Sequence, residues 1–400
     1  MTDFAATKAL FQLPKDVIYL DGNSLGALPC AAADKVSGVI TDEWGQMLIT
    51  GWNKAGWMAE PMRLGDRIGR MIGAEPGHVV VGDTLSIKVY QALAAGLELC
   101  ADRPDRKVIL SDSGNFPTDL YMAEGLIAAL DKGHELRVVA PEDVAGNITE
   151  DVAVLMLTEV DYRTGRLHDM DDLTRRAHAA GAITVWDLAH SAGAIPVDLI
   201  SAGADFAVGC TYKYLNGGPG APAFIYAAPR HADRITTVLS GWQGHEAPFA
   251  FDLTYRPNPG AERLRVGTPP ILQMAALNAA MDVWDIADMM DVRAKSMELT
   301  NMFIAGVEDT CPQLKLASPR DATQRGSQVS FAFEDGYAAM QALIARGVIG
   351  DFRAPNIMRF GFTPLYIDEG DVMAAVGIMA DVMGNRLWDR PEYKIRAAVT

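Results

Sequence analysis

The chain has 400 residues, 49% apolar and 22% charged, and its 35 basic against 51 acidic side chains leave a formal charge of −16. That length is enough for a sizeable core and two domains. So acidic a surface argues against broad nucleic-acid or anionic-membrane binding, and no stretch interleaves basic and aromatic residues as a single-strand groove would need.

The first residues, MTDFAATKALFQLPKD, contain no basic segment leading into a long apolar run. Neither a secretory signal nor a membrane span is expected there. The most apolar helical stretch, near 92–100, is interrupted by Glu98 and is too short to cross a bilayer. Cys30, Cys100, Cys210 and Cys311 lie far apart without metal-ligand spacing. They read as reduced thiols in a cytoplasm, with no metal site.

The stretch GDTLSIKVYQALAAG predicts a helix whose first turn contains Leu85 and Ser86. Backbone N–H groups and a hydroxyl at that positive end can seat a phosphate with little net positive charge. Neither GxxxxGK[ST] nor a GxGxxG after a strand occurs, so a P-loop or dinucleotide fingerprint is excluded.

The middle of the chain alternates short apolar runs with helical patterns. KVILSD (107–112), ELRVVA (135–140), VAVLMLT (152–158), AITVWD (182–187), DFAVGC (205–210) and APAFIYA (221–227) predict strands. TDLYMAEGLIAALDKG and DMDDLTRRAHAAG predict helices between them. Strands that are continuously apolar indicate a sheet covered on both faces, hence a mostly parallel α/β domain over about 60–270. A long helix is expected around 270–305. Beyond it, SQVSFAFE alternates like a half-exposed strand, and AAMQALIARGV, NIMRFGFTPLY and DEGDVMAAVGIMADVM complete a small α+β unit. The expected division is 1–50, packing with the small unit; 51–285, the large domain; and 286–400, the small domain.

Ligands of open α/β sheets bind beyond the carboxyl ends of the strands. After the first predicted strand come Phe116, Pro117, Thr118 and Asp119; the third ends on Thr158; the fourth ends on Asp187, with His190 following; the fifth leads into Thr211-Tyr212-Lys213. Taken singly, Lys213 reads as a loop lysine, Asp187 as a turn cap, His190 as a satisfied core histidine and Ser86 as a helix cap. Their joint order along successive strand ends is what favours a cofactor. A phosphate seat, a buried carboxylate and a lysine are the parts a pyridoxal phosphate enzyme needs. The lysine bonds to the cofactor aldehyde, and the carboxylate keeps the pyridine nitrogen protonated.

The full motifs carry a more specific resemblance. DxxH at 187–190 followed by TYKYLNGGPG at 211–220 resembles the kynureninase family. So do YLDGNSLGALP (19–29), FPTD (116–119), GWQGH (241–245), GTPPIL (267–272) and RFGFTPLY (359–366), in order along nearly the whole chain. The resemblance implies a fold type I, aspartate-aminotransferase-like α/β architecture, with a mostly parallel seven-stranded sheet and a small α+β domain. It implies a homodimer with pyridoxal 5′-phosphate near the subunit interface. The implied reaction is hydrolysis of L-kynurenine, and of 3-hydroxykynurenine, to the anthranilate and L-alanine, in tryptophan catabolism or pyridine nucleotide synthesis.

By that resemblance Lys213 carries the cofactor and Asp187 pairs with its pyridine nitrogen. Leu85 and Ser86 touch the phosphate, and Phe116, Pro117, Thr118 and Asp119 line the cofactor, with Phe116 against the ring. Thr158 and His190 contact it from the side. Tyr212 bonds to the phosphate and donates a proton. Trp242 and Thr268 reach cofactor or substrate from the partner subunit, and Arg359 clamps the substrate carboxylate, which suits its planar fork. Some members carry asparagine where this chain has Thr268, a shorter and branched donor, which bears on how the aryl ketone is recognised.

Two other readings remain open at this level. A cysteine desulfurase or aminotransferase could use the same fold, but a desulfurase needs a mobile reactive cysteine. Cys311 sits in TCPQLK and Cys210 ends an apolar strand. A non-catalytic α/β regulatory or assembly protein would have no use for Lys213, Asp187 and Arg359 together.

Overall fold

A computed structural model describes residues 1–396. Seven strands form its main sheet: β1 (Val79–Val81), β2 (Val108–Asp112), β3 (Glu135–Val139), β4 (Val152–Thr158), β5 (Ile183–Asp187), β6 (Phe206–Gly209) and β7 (Phe224–Ala227). Their order is β1-β7-β6-β5-β4-β2-β3. Six strands run in one direction, and β7 alone is reversed, antiparallel to both β6 and β1. All seven residues of β4 are buried, as its unbroken apolar run predicts. Each buried Val, Leu or Met there contributes about 1.5–3 kcal/mol relative to exposure. The short strand β1 was not anticipated; three valines after a Pro-Gly turn are too few to show a period.

Helices cover the sheet. The principal ones are α1 (Leu85–Leu99), α2 (Pro117–Leu130) and α3 (Met170–Ala180). Asp169 caps α3 by accepting the Asp172 N–H, and Gly181 ends it with φ 81°. The expected long helix is two helices, α4 (Ile271–Trp284) and α5 (Met289–Thr310). Asp288 causes the break: it is extended, and its carboxylate accepts from the Met290 and Asp291 N–H groups, starting a new helix.

A second, antiparallel sheet has the order β8-β9-β11-β10, from β8 (Lys315–Leu316), β9 (Gln328–Ala332), β10 (Asp351–Arg353) and β11 (Ile357–Gly361). Helices α6 (Gly336–Ile344) and α7 (Glu369–Gly384) accompany it. The alternation in SQVSFAFE misleads. Gln328 to Phe331 are all buried, because the polar side chains are bonded internally: Gln328 Nε2 to Ser330 Oγ and the Tyr162 carbonyl, and Ser327 Oγ to Ser296 Oγ.

The N-terminal segment ties into this second unit. Ile18 and Tyr19 pair in parallel with Val348 and Ile349. Thr7 Oγ1 donates to the Leu365 carbonyl, and Lys8 meets Asp368 and Asp371 at 2.7 Å each. The next loop reaches the main sheet: the Gly26 N–H donates to the Tyr212 carbonyl, and a Cβ on Gly26 would lie 2.3 Å from the Lys213 carbonyl oxygen. Only glycine permits that approach. All four cysteines are free thiols. Among the described residues no helix is long and apolar enough to cross a membrane.

Candidate active site

The strand ends of the main sheet converge on Lys213. Its Nζ lies 2.8 Å from His190 Nε2 and 5.9 Å from the centre of the Tyr212 ring. His190 is 5% exposed, and its Nδ1 is buried without a partner among the described residues. Burial holds its basicity well below the usual histidine range, reinforced by the charges of Lys213, Arg359 and Arg353. The ring is therefore neutral. With Nε2 accepting from Lys213, the proton sits on Nδ1 and is left as an unspent donor.

Beneath lie two buried carboxylates. Asp187, at the end of β5, accepts the Ala189 N–H at 2.8 Å. Asp119, in the first turn of α2, is 1% exposed, and its Oδ2 lacks a hydrogen-bond partner of good geometry. Burial raises both, and for Asp119 the neighbouring Asp187 raises it further, while the Lys213 amine opposes the rise in each. Two adjacent carboxylates in so dry a place favour holding a proton between them. Thr158, at the end of β4, donates to the backbone carbonyls of Val160 and Asp187 at 3.4 and 3.5 Å.

The remaining predicted residues fall into two groups. Leu85 and Ser86 occupy the first turn of α1, where Thr84 supplies no side-chain cap and the N–H groups stay available. Phe116 precedes Pro117 and Thr118 at the start of α2; its ring is 42% exposed and packs edge-on against Tyr162 at 5.3 Å. The Tyr212 phenol is raised, by the charge of Cys210 first and burial second, and so stays protonated. Trp242 and Thr268 stand apart. Trp242 is 40% exposed and meets the Phe249 ring edge-on, Thr268 is exposed, and neither hydrogen-bonds to the Lys213 group among the described residues.

Arg359, on β11, is 1% exposed and already engaged. Its Nε donates to Asp351 Oδ1 at 2.6 Å and its Nη1 to the Tyr162 carbonyl at 2.5 Å, while Nη2 reaches Asp351 Oδ2 and, at 2.9 Å, Ser24 Oγ. Arg353 Nη2 lies 2.9 Å from the same Asp351 oxygen. Burial works against ionising Asp351, yet the two arginines hold it below the usual carboxylate range. Asp21 beside them is pushed up to about 8, by burial first and by the Asp351 charge second.

Sequence reasoning missed this second tier. Ser24 lay within a quoted motif without a role, and Asp351 and Arg353 sit in GDFRAP, which carries no signal. Only the cross-strand pairing of Asp351 with Arg359 brings them to the site.

Comparison with known proteins agrees with this geometry. The family model for the kynureninase C-terminal domain matches residues 292–379. A kynureninase of Burkholderia pseudomallei (strain 1106a) is 52% identical over 400 residues, covering 99% of this chain and 96% of that protein. A kynureninase of Pseudomonas fluorescens is 50% identical over the same coverage. Among solved structures, a cysteine desulfurase from Thermococcus onnurineus NA1 superposes with a TM-score of 0.80 at 18% identity, covering 95% of this chain and 98% of that one. A C-DES variant with glycine covalently linked to its PLP cofactor gives 0.79 at 16%, covering 95% and 100%. These distant likenesses establish the fold, that of the fold type I, aminotransferase-like PLP enzymes. Full-length identity at the 50% level establishes the family: this chain belongs to the kynureninases.

Proposed function

We propose that the Lys213 cluster holds pyridoxal 5′-phosphate and that the chain uses it to hydrolyse the Cβ–Cγ bond of L-kynurenine, giving anthranilate and L-alanine. The observation that carries this reading is the convergence of a lysine amine, a neutral histidine and a pair of buried carboxylates at neighbouring strand ends, in a chain 52% identical to a kynureninase. The residues fit the cofactor. Two buried polar atoms, Asp119 Oδ2 and His190 Nδ1, lack partners, and the α1 N-terminus beside Ser86 is uncapped. Such groups ask for a polar ligand.

When bound, the cofactor supplies the electron sink for charge released at the substrate carbons. The chain supplies the rest. Lys213 carries the cofactor and moves the proton at the substrate Cα. Asp187, supported by Asp119, would pair with the pyridine nitrogen, and the proton the two carboxylates favour holding would pass to that nitrogen. Leu85, Ser86 and Tyr212 hold the phosphate. Phe116, Pro117, Thr118, Thr158 and His190 surround the ring. Tyr212, kept protonated, is suited to donate to the carbon left after cleavage. Arg359 receives the substrate carboxylate. Four of its donor contacts are already made, so the substrate engages the Nη1–Nη2 edge in exchange with Ser24 and the Tyr162 carbonyl.

The same reading includes 3-hydroxykynurenine as a substrate, and a homodimer in which Trp242 and Thr268 serve the partner's site. Exposed Trp44, Leu48, Ile49, Phe249, Phe251 and Leu253 support a covering subunit. It divides the chain at 50/51 and 285/286, with the first segment packed on the small unit. A desulfurase is disfavoured because Cys210 and Cys311 are buried, with thiols that burial pushes up, away from the reactive thiolate. The test is release of anthranilate and alanine from L-kynurenine by protein reconstituted with pyridoxal phosphate. Equal amounts of both, lost in Lys213→Ala, support the reading. A bound cofactor yielding neither product would overturn it.

A further inference from the structure

The residues at the active-site shelf alternate between two faces. Thr158 and His190 belong to the Lys213 side. Their immediate successors, Glu159 and Ser191, lie behind it, where Glu159 lines a cavity of about 800 Å³. The cavity opens between the loop leading into α3, the segment 196–202 and Thr323 with Gln324 from the second unit. Glu159 is 6% exposed, makes no side-chain hydrogen bond of good geometry among the described residues, and its Oε2 is buried without a partner. The Ser191 hydroxyl is close enough to favour its ionised form but reaches it in poor geometry, and a buried carboxylate so weakly served calls for a ligand.

The chemistry of the walls selects the class of ligand. The charged groups facing Glu159 are Arg166, His168, Asp169, Asp171 and Asp198. Arg166 and His168 are bonded to each other and to Asp112, and Asp198 is spent on the Ser201 N–H and hydroxyl. Asp169 is spent capping α3. The free charges are therefore negative: Glu159 and the exposed Asp171, whose field is felt at Glu159. Among the described residues no group of three or more His, Cys, Asp or Glu side chains could hold a metal ion. The volume is that of a small-molecule site.

We propose that this cavity is a second ligand site, taking a small organic ammonium between Glu159 and Asp171. Its floor touches the catalytic strand directly, since the Glu159 N–H donates to the Asp187 carbonyl at 3.0 Å. Burial pushes Glu159 up to about 7, with the Ser191 hydroxyl opposing, so near neutrality it is only partly ionised. A bound ammonium favours the ionised form, and binding must expel a proton.

The experiment is calorimetric titration of the holoenzyme with putrescine at constant ionic strength, in two buffers of different ionisation enthalpy, with potassium chloride as a parallel titrant. Saturable putrescine binding that tightens from about pH 6 to about pH 8 and releases protons near neutrality is expected. Glu159→Gln should weaken it at least about tenfold and abolish the proton release. Asp171→Asn, at the exposed rim, should weaken it about threefold and decides the matter if Glu159→Gln does not fold. No saturable heat, or affinity unchanged in the variants that fold, overturns the proposal. So does saturation by potassium alone.

Discussion

Replacing Arg359 with lysine separates its charge from its shape. The guanidinium makes four donor contacts, two to Asp351 and one each to Ser24 and the Tyr162 carbonyl. A lysine keeps a cation beside Asp351, so the buried carboxylate is not abandoned and the fold should survive. What is lost is the planar fork that, on the proposed reading, meets the substrate carboxylate. Losing one charge-assisted hydrogen bond costs about 1.5–3 kcal/mol, or roughly 10- to 150-fold in kcat/KM. Arg359→Ala differs in kind. It leaves Asp351, with a side chain 3% exposed, with Arg353 as its remaining guanidinium beside the Ser24 hydroxyl. Breaking a buried pair costs about 3–5 kcal/mol of stability. With an unfolding entropy of about 2.1 cal/mol/K per residue over 400 residues, that lowers the melting temperature by roughly 4–6 °C. The assay is steady-state anthranilate release, with the cofactor absorbance band and a thermal melt measured on the same preparations. If Arg359→Lys kept kcat/KM within about threefold with the cofactor band intact, Arg359 would not be the carboxylate clamp.

Other outcomes follow from the same structure. If Trp242 serves the partner's site as proposed, mixing Lys213→Ala with Trp242→Ala subunits should restore partial activity, because a mixed dimer would contain one intact site; no recovery after demonstrated subunit exchange counts against a shared site. Asp205 is buried and accepts from His178, His231, Arg230 and Thr184. Although burial opposes it, those donors hold its carboxyl far below the usual range. That stability is present above the unfolded value of about 3.9 and is lost as pH falls toward the folded one. Asp205→Asn should therefore be less stable by about 3–5 kcal/mol at neutral pH, and the gap to wild type should close in acid; a gap independent of pH would refute the assignment. His190 acts in the same direction at higher pH: its folded value is depressed, so it disfavours the folded chain below the unfolded value of about 6.5. Ring-nitrogen NMR should show His190 still neutral well below the ordinary histidine value, and a titration near that value would contradict the buried, cation-flanked setting.

Much of the site was legible because its residues follow strands. An apolar run as short as VAVLMLT reads as a strand buried on both faces, and the polar residue where it stops, Thr158, then falls at the sheet's carboxyl edge. The same logic located Asp187, His190 and Lys213, and the helix starts at Ser86 and Pro117 obey local capping chemistry. The family could be named from spaced motifs because they run in order along the chain.

Tertiary structure alone decided what surrounds them. Arg359 meets Ser24, 335 positions earlier, and the carbonyl of Tyr162, 197 earlier, and no local pattern encodes such encounters. The polar residues of SQVSFAFE looked solvent-facing until Gln328 and Ser330 found partners inside. Asp288 looked like one more polar residue on a long helix until its carboxylate capped a second one. Glu159 carried no signal whatever, for its unusual state comes from water being excluded by segments remote in sequence. Local geometry is written in neighbouring residues, since backbone sterics and side-chain period act over a few positions. Burial, charge pairing and the loss of solvent are properties of the assembled whole, and the chemistry of this site depends on them.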